Sequence, residues 1–298
     1  MTADRNYRKG IILIICSALC FSLMAVFVRL SGDINFLQKG FFRNFISFLI
    51  ALLTVIRQYR KEGGENLSIK KEWLPFLLLR SAAGTLGILG NFYAIDRLIL
   101  SDAGMLNKMA PFWTLLFSFI LMGEKIRFVP GLCITTAFAG ALLIIKPGFD
   151  FSQMLPSAAG FASGIGAGFA YACVRKLGKL KCQGKVVVLF FSAFSTVILI
   201  PNLILNFEPM TLKQTLLLIM AGVCAAGGQF TITAAYYHAP ASKISIFDFS
   251  QIIFSTALGF ILFSQKPDIF SIVGYFTIVS MAVLNFLWNE KHQSDKQV

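Results

Sequence analysis

The sequence predicts an all-α integral membrane protein with ten transmembrane helices, and three observations lead to that fold class. Of the 298 residues, 56% are hydrophobic and only 14% are charged, whereas soluble domains carry roughly 25% charged residues. The mean hydropathy is +0.73, and phenylalanine alone occurs 31 times. Apolar runs long enough to cross a hydrocarbon core of about 30 Å recur along the whole chain. So few polar groups would not cover this much apolar surface in water, which excludes a soluble fold.

The predicted spans follow one another with short connections, so no soluble domain is inserted between them. Each contains about 20 mainly apolar residues, the length that a helix needs to cross the bilayer. The first apolar run follows the basic stretch MTADRNYRKG and is too long for a signal-peptide core, so it is interpreted as the first span. The predicted spans are 10–30, 39–57, 74–95, 100–122, 128–146, 155–174, 185–206, 213–237, 242–264 and 269–288.

The distribution of Lys and Arg predicts that both termini lie in the cytoplasm. Of 27 such residues, 18 fall in the termini and the even-numbered loops, whereas only 6 fall in the odd-numbered loops. Positive residues accumulate on the cytoplasmic side of membrane proteins. The protein is therefore expected in the cell (inner) membrane, with residues 1–9 and 289–298 as cytoplasmic tails. The net charge of +13 is a topology signal on this interpretation, and nucleic acid is not an expected partner.

The two halves of the chain resemble each other, which predicts an internal repeat. The segment FSFILMGEK at 117–125 matches LGFILFSQK at 258–266, an offset of 141 residues. The predicted repeats are 10–147, with spans 1–5, and 155–288, with spans 6–10. Because five is an odd number, the second copy must be inverted in the membrane, as in many transporter folds whose substrate site lies near the midplane. The alternative is chance similarity between helices rich in Phe and Leu.

Three further segments give the chain a resemblance to a known family. They are FFRNFISFLIALL in span 2, NFYAIDRLILSDAGMLNKMAPFWTLLFSFILMGEK across spans 3 and 4, and GALLIIKPG at the end of the first repeat. On these segments the chain resembles the EamA-type branch of the drug/metabolite transporter superfamily. Pro111 followed by Glu124 is similar to the P…GE pattern of that family, whereas Ile252 and Gln265 hold the corresponding positions in the second repeat. The resemblance implies ten helices, two inverted repeats and transport of a small metabolite through a central cavity.

Ionisable residues inside the spans are the first candidates for a functional site, because a charge at the centre of a bilayer helix costs about 2.5–3.5 kcal/mol. By the 141-residue offset, Lys108 of span 4 and Asp248 of span 9 fall at or beside matching positions. We predict that they pair across the cavity, since a partner reduces the cost of burying each charge. The alternative is that each side chain extends to a nearby membrane interface.

Two arginines within spans have more than one interpretation. Arg80 lies about seven residues into span 3, where it either binds a substrate carboxylate or phosphate or extends to lipid headgroups. Arg43 lies closer to the outer end of span 2, and extension to the interface is the favoured interpretation. Asp102 begins span 4, where a carboxylate stabilises the helix N-terminus.

Other side chains are candidates for lining or shaping the cavity. Pro111 is expected to kink span 4, which is tolerable when neighbours or water satisfy the freed carbonyl. Gly160, Gly164 and Gly168 share one face of span 6 and predict the close approach of another helix. For the aromatic candidates the alternative is ordinary packing or an interfacial position. The polar and aromatic cavity candidates are Asn91, Tyr93, Asn107, Trp113, Gln229, Tyr236 and Tyr237.

These features together predict a secondary transporter that works by alternating access, and not an enzyme. Arg43, Arg80 and Lys108 outnumber Asp248 in the spans, which favours an anionic or zwitterionic, amino-acid-like metabolite as substrate. Proton coupling through a buried carboxylate and exchange against a counter-substrate are both consistent with the sequence. Neither a cofactor nor a metal is expected, because no P-loop and no metal-ligand spacing is present. The alternatives are lipid flipping by the same scaffold and, less favoured, a membrane-embedded enzyme.

Overall fold

The computed structural model describes residues 2–62, 70–122, 128–145, 151–238 and 245–294, and every regular element among them is a helix. Helices suit this composition, because they satisfy their own backbone hydrogen bonds in a medium without water. A short 3-10 helix, Ser245–Phe249, precedes the tenth α-helix. The α-helices are α1 (Thr2–Leu30), α2 (Phe36–Glu62), α3 (Leu74–Arg97), α4 (Leu100–Asn107), α5 (Ala110–Met122), α6 (Phe128–Ile145), α7 (Phe151–Lys179), α8 (Gly184–Leu205), α9 (Leu212–His238), α10 (Ser250–Phe263) and α11 (Ile269–Ser294).

Seven segments of the described chain are long and apolar enough to cross a membrane. Two shorter apolar helices lie at Gly131–Ile144 and Phe247–Phe263. Helix α3 is also 24 residues long but is not among the seven. The protein is therefore an all-helical, multi-pass membrane protein. The seven segments are Tyr7–Leu30, Phe36–Arg57, Leu100–Met122, Gln153–Lys179, Gly184–Leu205, Leu212–Ile232 and Ile269–Trp288.

The helix predicted over 100–122 is interrupted near its middle. Helix α4 ends at Asn107 and α5 begins at Ala110, with Lys108 as the C-terminal capping residue of α4. Pro111 is the second residue of α5, a position at which the missing N–H of proline costs no helical hydrogen bond. The interruption therefore lies at Lys108–Met109, and Pro111 starts the next helix instead of kinking a continuous one.

Helix α7 lies unusually close to the interrupted span through its glycines. A Cβ added to Gly164 would lie 2.6 Å from the carbonyl oxygen of Leu106, and one added to Gly168 would lie 2.8 Å from that of Ala110. A Cβ on Gly160 would lie 3.2 Å from the Leu106 side chain. Side chains at these positions would push the two helices apart. The close helix approach predicted from the three glycines is therefore confirmed.

Helices from the first half of the chain pack mainly against helices from the second half. Helix α1 packs along α9, α3 along α7, α2 along α8, and α6 along α11. Four further contacts involve the shorter helices: α7 packs against α4 and α5, and α1 packs against the 3-10 helix and α10. The interface between the halves therefore runs through the whole bundle.

The two ends of the bundle differ in how they are closed. One end of the bundle, called here the Asp96 end, contains the connecting residues 31–35, 98–99, 206–211 and 264–268. The opposite end, called the Trp73 end, contains residues 70–73 and 180–183. One large apolar cluster joins α1, α3, α4, α6, α9, α10 and α11 and reaches the Asp96 end. At the Trp73 end the described residues form two separate clusters, one in α3, α7 and α8 and the other around α1, α9 and the 3-10 helix.

Candidate functional site

A polar cavity of about 90 Å³ lies between the two halves of the bundle. Its wall is built from α1, α2, α3, α7, α8, α9 and α10 and from the interruption between α4 and α5. A cavity with several convergent polar groups inside an apolar bundle is the expected form of a solute site. The polar residues that line it are Arg43, Arg80, Asn91, Asn107, Lys108, Tyr171, Gln229 and Gln251.

Lys108 and Asp248 form an ion pair at this cavity, in which Lys108 Nζ donates a hydrogen bond to Asp248 Oδ2. The pairing predicted from the sequence is therefore present. Both side chains are nearly buried, with exposures of 8% and 12%. Each charge also lies at the favourable end of a helix, because Lys108 caps the C-terminus of α4 and Asp248 lies just before the N-terminus of α10. Pairing and helix dipoles together offset part of the cost of burying the two charges.

Two arginines reach the cavity over a single aromatic ring. The guanidinium carbon of Arg80 lies 3.6 Å from the centre of the Phe191 ring, and that of Arg43 lies 5.8 Å from it. Both arginines are buried, with exposures of 5% and 2%. Gly84 leaves room for the ring, since an added Cβ would lie 3.0 Å from Phe191 Cε2. A cation over the face of an aromatic ring is attracted by its quadrupole, which stabilises both guanidinium groups in the bundle.

The hydrogen-bonding capacity of these arginines is only partly used. Arg43 Nη1 donates to Asn44 Oδ1, and Asn44 Nδ2 donates to the Gly40 carbonyl. The Nε of Arg43 and both Nε and Nη1 of Arg80 are buried without a hydrogen-bond partner among the described residues. An unmade hydrogen bond of a buried charged group is costly. The cavity therefore offers several charged donors to an anionic group that enters it.

The position of Arg43 corrects the expectation that its side chain extends to the membrane interface. The side chain is 2% exposed and lines the cavity. It turns inward because Asn44, anchored on its own helix, accepts one hydrogen bond, and because Phe191 of α8 offers its ring face. Arg80 likewise lines the cavity.

The polar candidates predicted from sequence lie together at the cavity. Asn91, Asn107 and Gln229 line it along with Lys108. Asn107 Nδ2 donates to Ser163 Oγ at 3.0 Å, which ties the end of α4 to α7. The side-chain oxygen of Asn91 is buried without a hydrogen-bond partner among the described residues.

The structure does not bring two aromatic candidates to the cavity. The ring of Tyr93 contacts Phe36 and lies under the guanidinium of Arg97, near the Asp96 end. The Trp113 ring packs against Phe117 and Phe161. Both therefore have the packing role that was the alternative for aromatic residues. The side chains of Tyr236 and Tyr237 lie outside the described residues.

Tyr171, Phe191 and Gln251 are among the cavity residues that were not predicted from the sequence. Tyr171 is 36% exposed although it lies well within α7, because it faces the cavity. Phe191 and Gln251 also line the cavity. Tyr171 and Phe191 look like packing aromatics in a single sequence. Gln251 could have been predicted, because it lies three residues after Asp248 and residues at this spacing share one side of a helix.

A second polar network closes the Asp96 end of the bundle. Lys39 Nζ lies 2.7 Å from Asp96 Oδ1, and the Lys39 side chain is fully buried. Gln38 and Glu208 exchange two hydrogen bonds of 2.9 Å each between side chain and backbone. The backbone N–H of Asn35 also donates to the Glu208 carboxylate. A vestibule of about 600 Å³ lies at this network, bordered by residues of 29–36, 96–97 and Glu208.

A multi-pass helical protein with a charged cavity between its two halves has the architecture of a membrane transporter. Comparison with known proteins supports this class. Residues 8–146 match the EamA-like transporter family. The chain is 30% identical over 274 residues to the pseudopaline exporter CntI of Pseudomonas aeruginosa, an alignment that covers 91% of this chain and 94% of that protein. The chain therefore belongs to the EamA-like transporter family.

More distant proteins agree with this assignment. Human solute carrier family 35 member G1 is 27% identical over 288 residues, which cover 92% of this chain and 78% of that protein. A solved crystal structure superposes with a TM-score of 0.64 over 95% of this chain and 98% of its own, at 17% identity, and so shows the same fold. The protein is a membrane transporter and not an enzyme, which confirms the prediction from sequence.

Proposed function

We propose that the protein is a secondary transporter that moves a small anionic or zwitterionic, amino-acid-like metabolite across the cell (inner) membrane by alternating access. The observation that carries this proposal is the set of buried donors of Arg80 and Arg43 that have no hydrogen-bond partner in the described part of the chain and belong to side chains lining the cavity. An anionic group of a solute would satisfy them. The relative in Pseudomonas aeruginosa is named as the exporter of one compound, pseudopaline, which supports a solute as the cargo.

Ten spans arranged as two inverted repeats, 10–147 and 155–288, form the scaffold in this proposal. The packing supports it, because exchanging the corresponding helices of the two halves turns each major helix pair into a pair that is also observed. The pair α1–α9 becomes α7–α3, the pair α2–α9 becomes α8–α3, and α2–α8 and α6–α11 become themselves. By the offset of 141 residues, Lys108 corresponds to Phe249. Lys108 lies at the interruption between α4 and α5, and Phe249 is the last residue of the 3-10 helix before α10.

The two ends of the bundle support an alternating-access mechanism. With both termini in the cytoplasm, the Asp96 end faces outward and the Trp73 end faces the cytoplasm. The Lys39–Asp96 pair and the Gln38–Glu208 hydrogen bonds hold the outward end closed. The two apolar clusters of the Trp73 end are separate from each other, so the group of α3, α7 and α8 can part there from the group of α1 and α9. On this proposal the structure represents a state closed to the outside, and transport requires the Asp96-end network to break.

Reconstitution tests this function against lipid flipping. Purified protein is placed in liposomes preloaded with unlabelled carboxylates and amino acids, and uptake of the labelled compounds is measured beside a fluorescent-lipid flip assay. We expect saturable solute uptake that Arg80→Gln abolishes. The matched control is Arg57→Gln, because Arg57 is exposed on α2. Lipid flipping without solute uptake would contradict the proposal.

A further inference from the structure

The cavity wall carries more positive than negative charge. Arg43, Arg80 and Lys108 line it, and no described acidic residue does. Asp248, the acid next to this wall, is already engaged by Lys108. Lys108 and Asp248 therefore form a neutral pair, and two guanidinium charges are left without an ion-pair partner among the described side chains.

The two guanidinium groups without an ion-pair partner among the described residues lie against the same aromatic ring. Both lie within 6 Å of the centre of the Phe191 ring, at 3.6 and 5.8 Å. Like charges repel strongly where the surroundings are poorly polarisable. Arg43 is nevertheless held there by Asn44, and Arg80 by the ring face. The remaining repulsion between these buried like charges destabilises the empty cavity, and a bound anion would compensate it.

The free donors belong to two guanidinium groups that both line the cavity. The Nε of Arg43 and the Nε and Nη1 of Arg80 are buried and unpaired among the described residues. Guanidinium groups bind the oxygens of carboxylates and phosphates in a bidentate manner. A monoanion would compensate only one of the two charges. The ammonium group of a zwitterion would be repelled by the second arginine.

We propose that the Arg43–Arg80 pair binds a solute that carries two negative charges, either a dicarboxylate or a phosphate monoester. This inference rests on the proposed function, because it names the solute class for the same cavity. Lys108 and Asp248 then form a neutral part of the wall and do not hold the anion. Phe191 sets the position of the anion by fixing both guanidinium groups.

Ligand-induced thermal stabilisation in detergent tests the charge of the solute. A ligand that binds only the folded state raises the melting temperature by mass action. At equal concentration and ionic strength, we expect succinate or glycerol phosphate to raise the melting temperature, and lactate and alanine to leave it unchanged. A shift with succinate alone identifies dicarboxylates, and a shift with glycerol phosphate alone identifies phosphate esters. Equal shifts with lactate or alanine, or no shift with either dianion, would overturn the inference.

Substitutions locate the site. Arg43→Gln and Arg80→Gln should each keep or raise the melting temperature of the empty protein, because each removes one uncompensated buried charge, but both should lose the shift caused by the dianion. Arg57→Gln, at an exposed position of α2, should keep that shift. Arg80→Lys keeps the charge without the planar fork and should retain only part of the shift. A full dianion shift in Arg43→Gln or Arg80→Gln would place the site elsewhere.

The two proposals fail in different ways. Uptake of labelled alanine by proteoliposomes, without any dianion shift, would overturn the dianion site and leave the transport function standing. A dianion shift in a protein that moves no solute, but flips lipid, would overturn the transport function instead.

Discussion

Lys39 and Asp96 pair across α2 and α3 with 2.7 Å between Nζ and Oδ1, yet the two side chains differ in their contact with solvent. The Lys39 side chain is fully buried, whereas that of Asp96 is 18% exposed towards the vestibule. Loss of the carboxylate therefore strands a buried ammonium group. Loss of the ammonium group leaves a carboxylate that water reaches.

This difference predicts unequal costs for removing either partner. Asp96→Asn should lower the free energy of unfolding by about 3–5 kcal/mol, the cost of an uncompensated buried charge, and Lys39→Met should cost clearly less. The double variant Lys39→Met with Asp96→Leu should recover most of the stability, because no charge remains. Thermal melting in detergent measures all three. A cost for Lys39→Met that equals or exceeds that for Asp96→Asn would contradict the assignment.

The double variant also tests whether the pair closes the Asp96 end, which faces outward in the proposed topology. The double variant lacks the Lys39–Asp96 ion pair but keeps the fold. We therefore expect its Asp96 end to open more often than that of the parent protein. Met24→Cys in α1, at a cavity residue that is 6% exposed, reports this in sealed vesicles. Alkylation from outside by an impermeant reagent should be faster in the double variant than in the parent. An unchanged rate would show that the ion pair is no part of the closure.

The Lys108–Asp248 pair predicts strong energetic coupling within the cavity wall. Lys108→Met and Asp248→Leu should each cost about 3–5 kcal/mol of stability, since each leaves the other charge buried alone. Together they should cost much less than the sum, although transport need not return. A double-mutant cycle isolates this coupling. Lys108→Met combined with Asp33→Asn, at an exposed loop residue, is the control and should be additive. Additive losses in the main cycle would mean that the two residues do not interact.

The glycines of α7 predict a position-dependent effect of one methyl group. Gly168→Ala should destabilise the protein by about 1–3 kcal/mol, the usual cost of overpacking, because its Cβ would clash with the Cβ of Trp113. Gly178→Ala is the matched control on the same helix, since nothing lies within 4 Å of its Cβ. It should be neutral or slightly stabilising, as alanine favours helix. Equal effects at both positions would argue against close helix contact at Gly168.

The charge distribution predicts which loops face the cytoplasm. Single cysteines are introduced at Leu67 and at Ser152 in a background without the six native cysteines. From outside intact cells, an impermeant reagent should label position 152 and leave position 67 unlabelled, because 18 of the 27 Lys and Arg residues belong to the side of residue 67. The reverse pattern would invert the topology.

Much of the fold was predictable because lipid imposes simple rules. The all-helical, multi-pass character is confirmed, and α8 at Gly184–Leu205 lies close to the predicted range 185–206. Only seven segments of the described chain are long and apolar enough to cross a membrane, so the count of ten spans stays a prediction. The glycines of α7 were equally informative, since only helix packing requires three small residues on one face. The interruption at Lys108 was located only approximately, because Pro111 is visible in the sequence and the preceding capping turn is not.

The candidate site was predicted less completely, because burial depends on partners distant in sequence. Lys108 and Asp248 were found through the predicted repeat, because its offset of 141 residues pointed to the distant partner. Arg43 was placed at the interface because its depth in α2 is visible, whereas its contact with Phe191 of α8 is not. Tyr93 and Trp113 were assigned to the cavity because sequence does not show which face of a wholly apolar helix points inward.

Solute uptake by Arg80→Lys tests most directly whether the buried arginines bind the transported solute. Proteoliposomes containing wild-type protein, Arg80→Lys or the control Arg57→Lys are compared in initial rates of labelled succinate and amino-acid uptake. We predict saturable uptake by wild type and by Arg57→Lys, and a KM raised about 10- to 100-fold in Arg80→Lys, the equivalent of one lost charged hydrogen bond. An unchanged KM in Arg80→Lys, as expected for a side chain that only reaches lipid headgroups, or the absence of saturable uptake by wild type, would contradict this account.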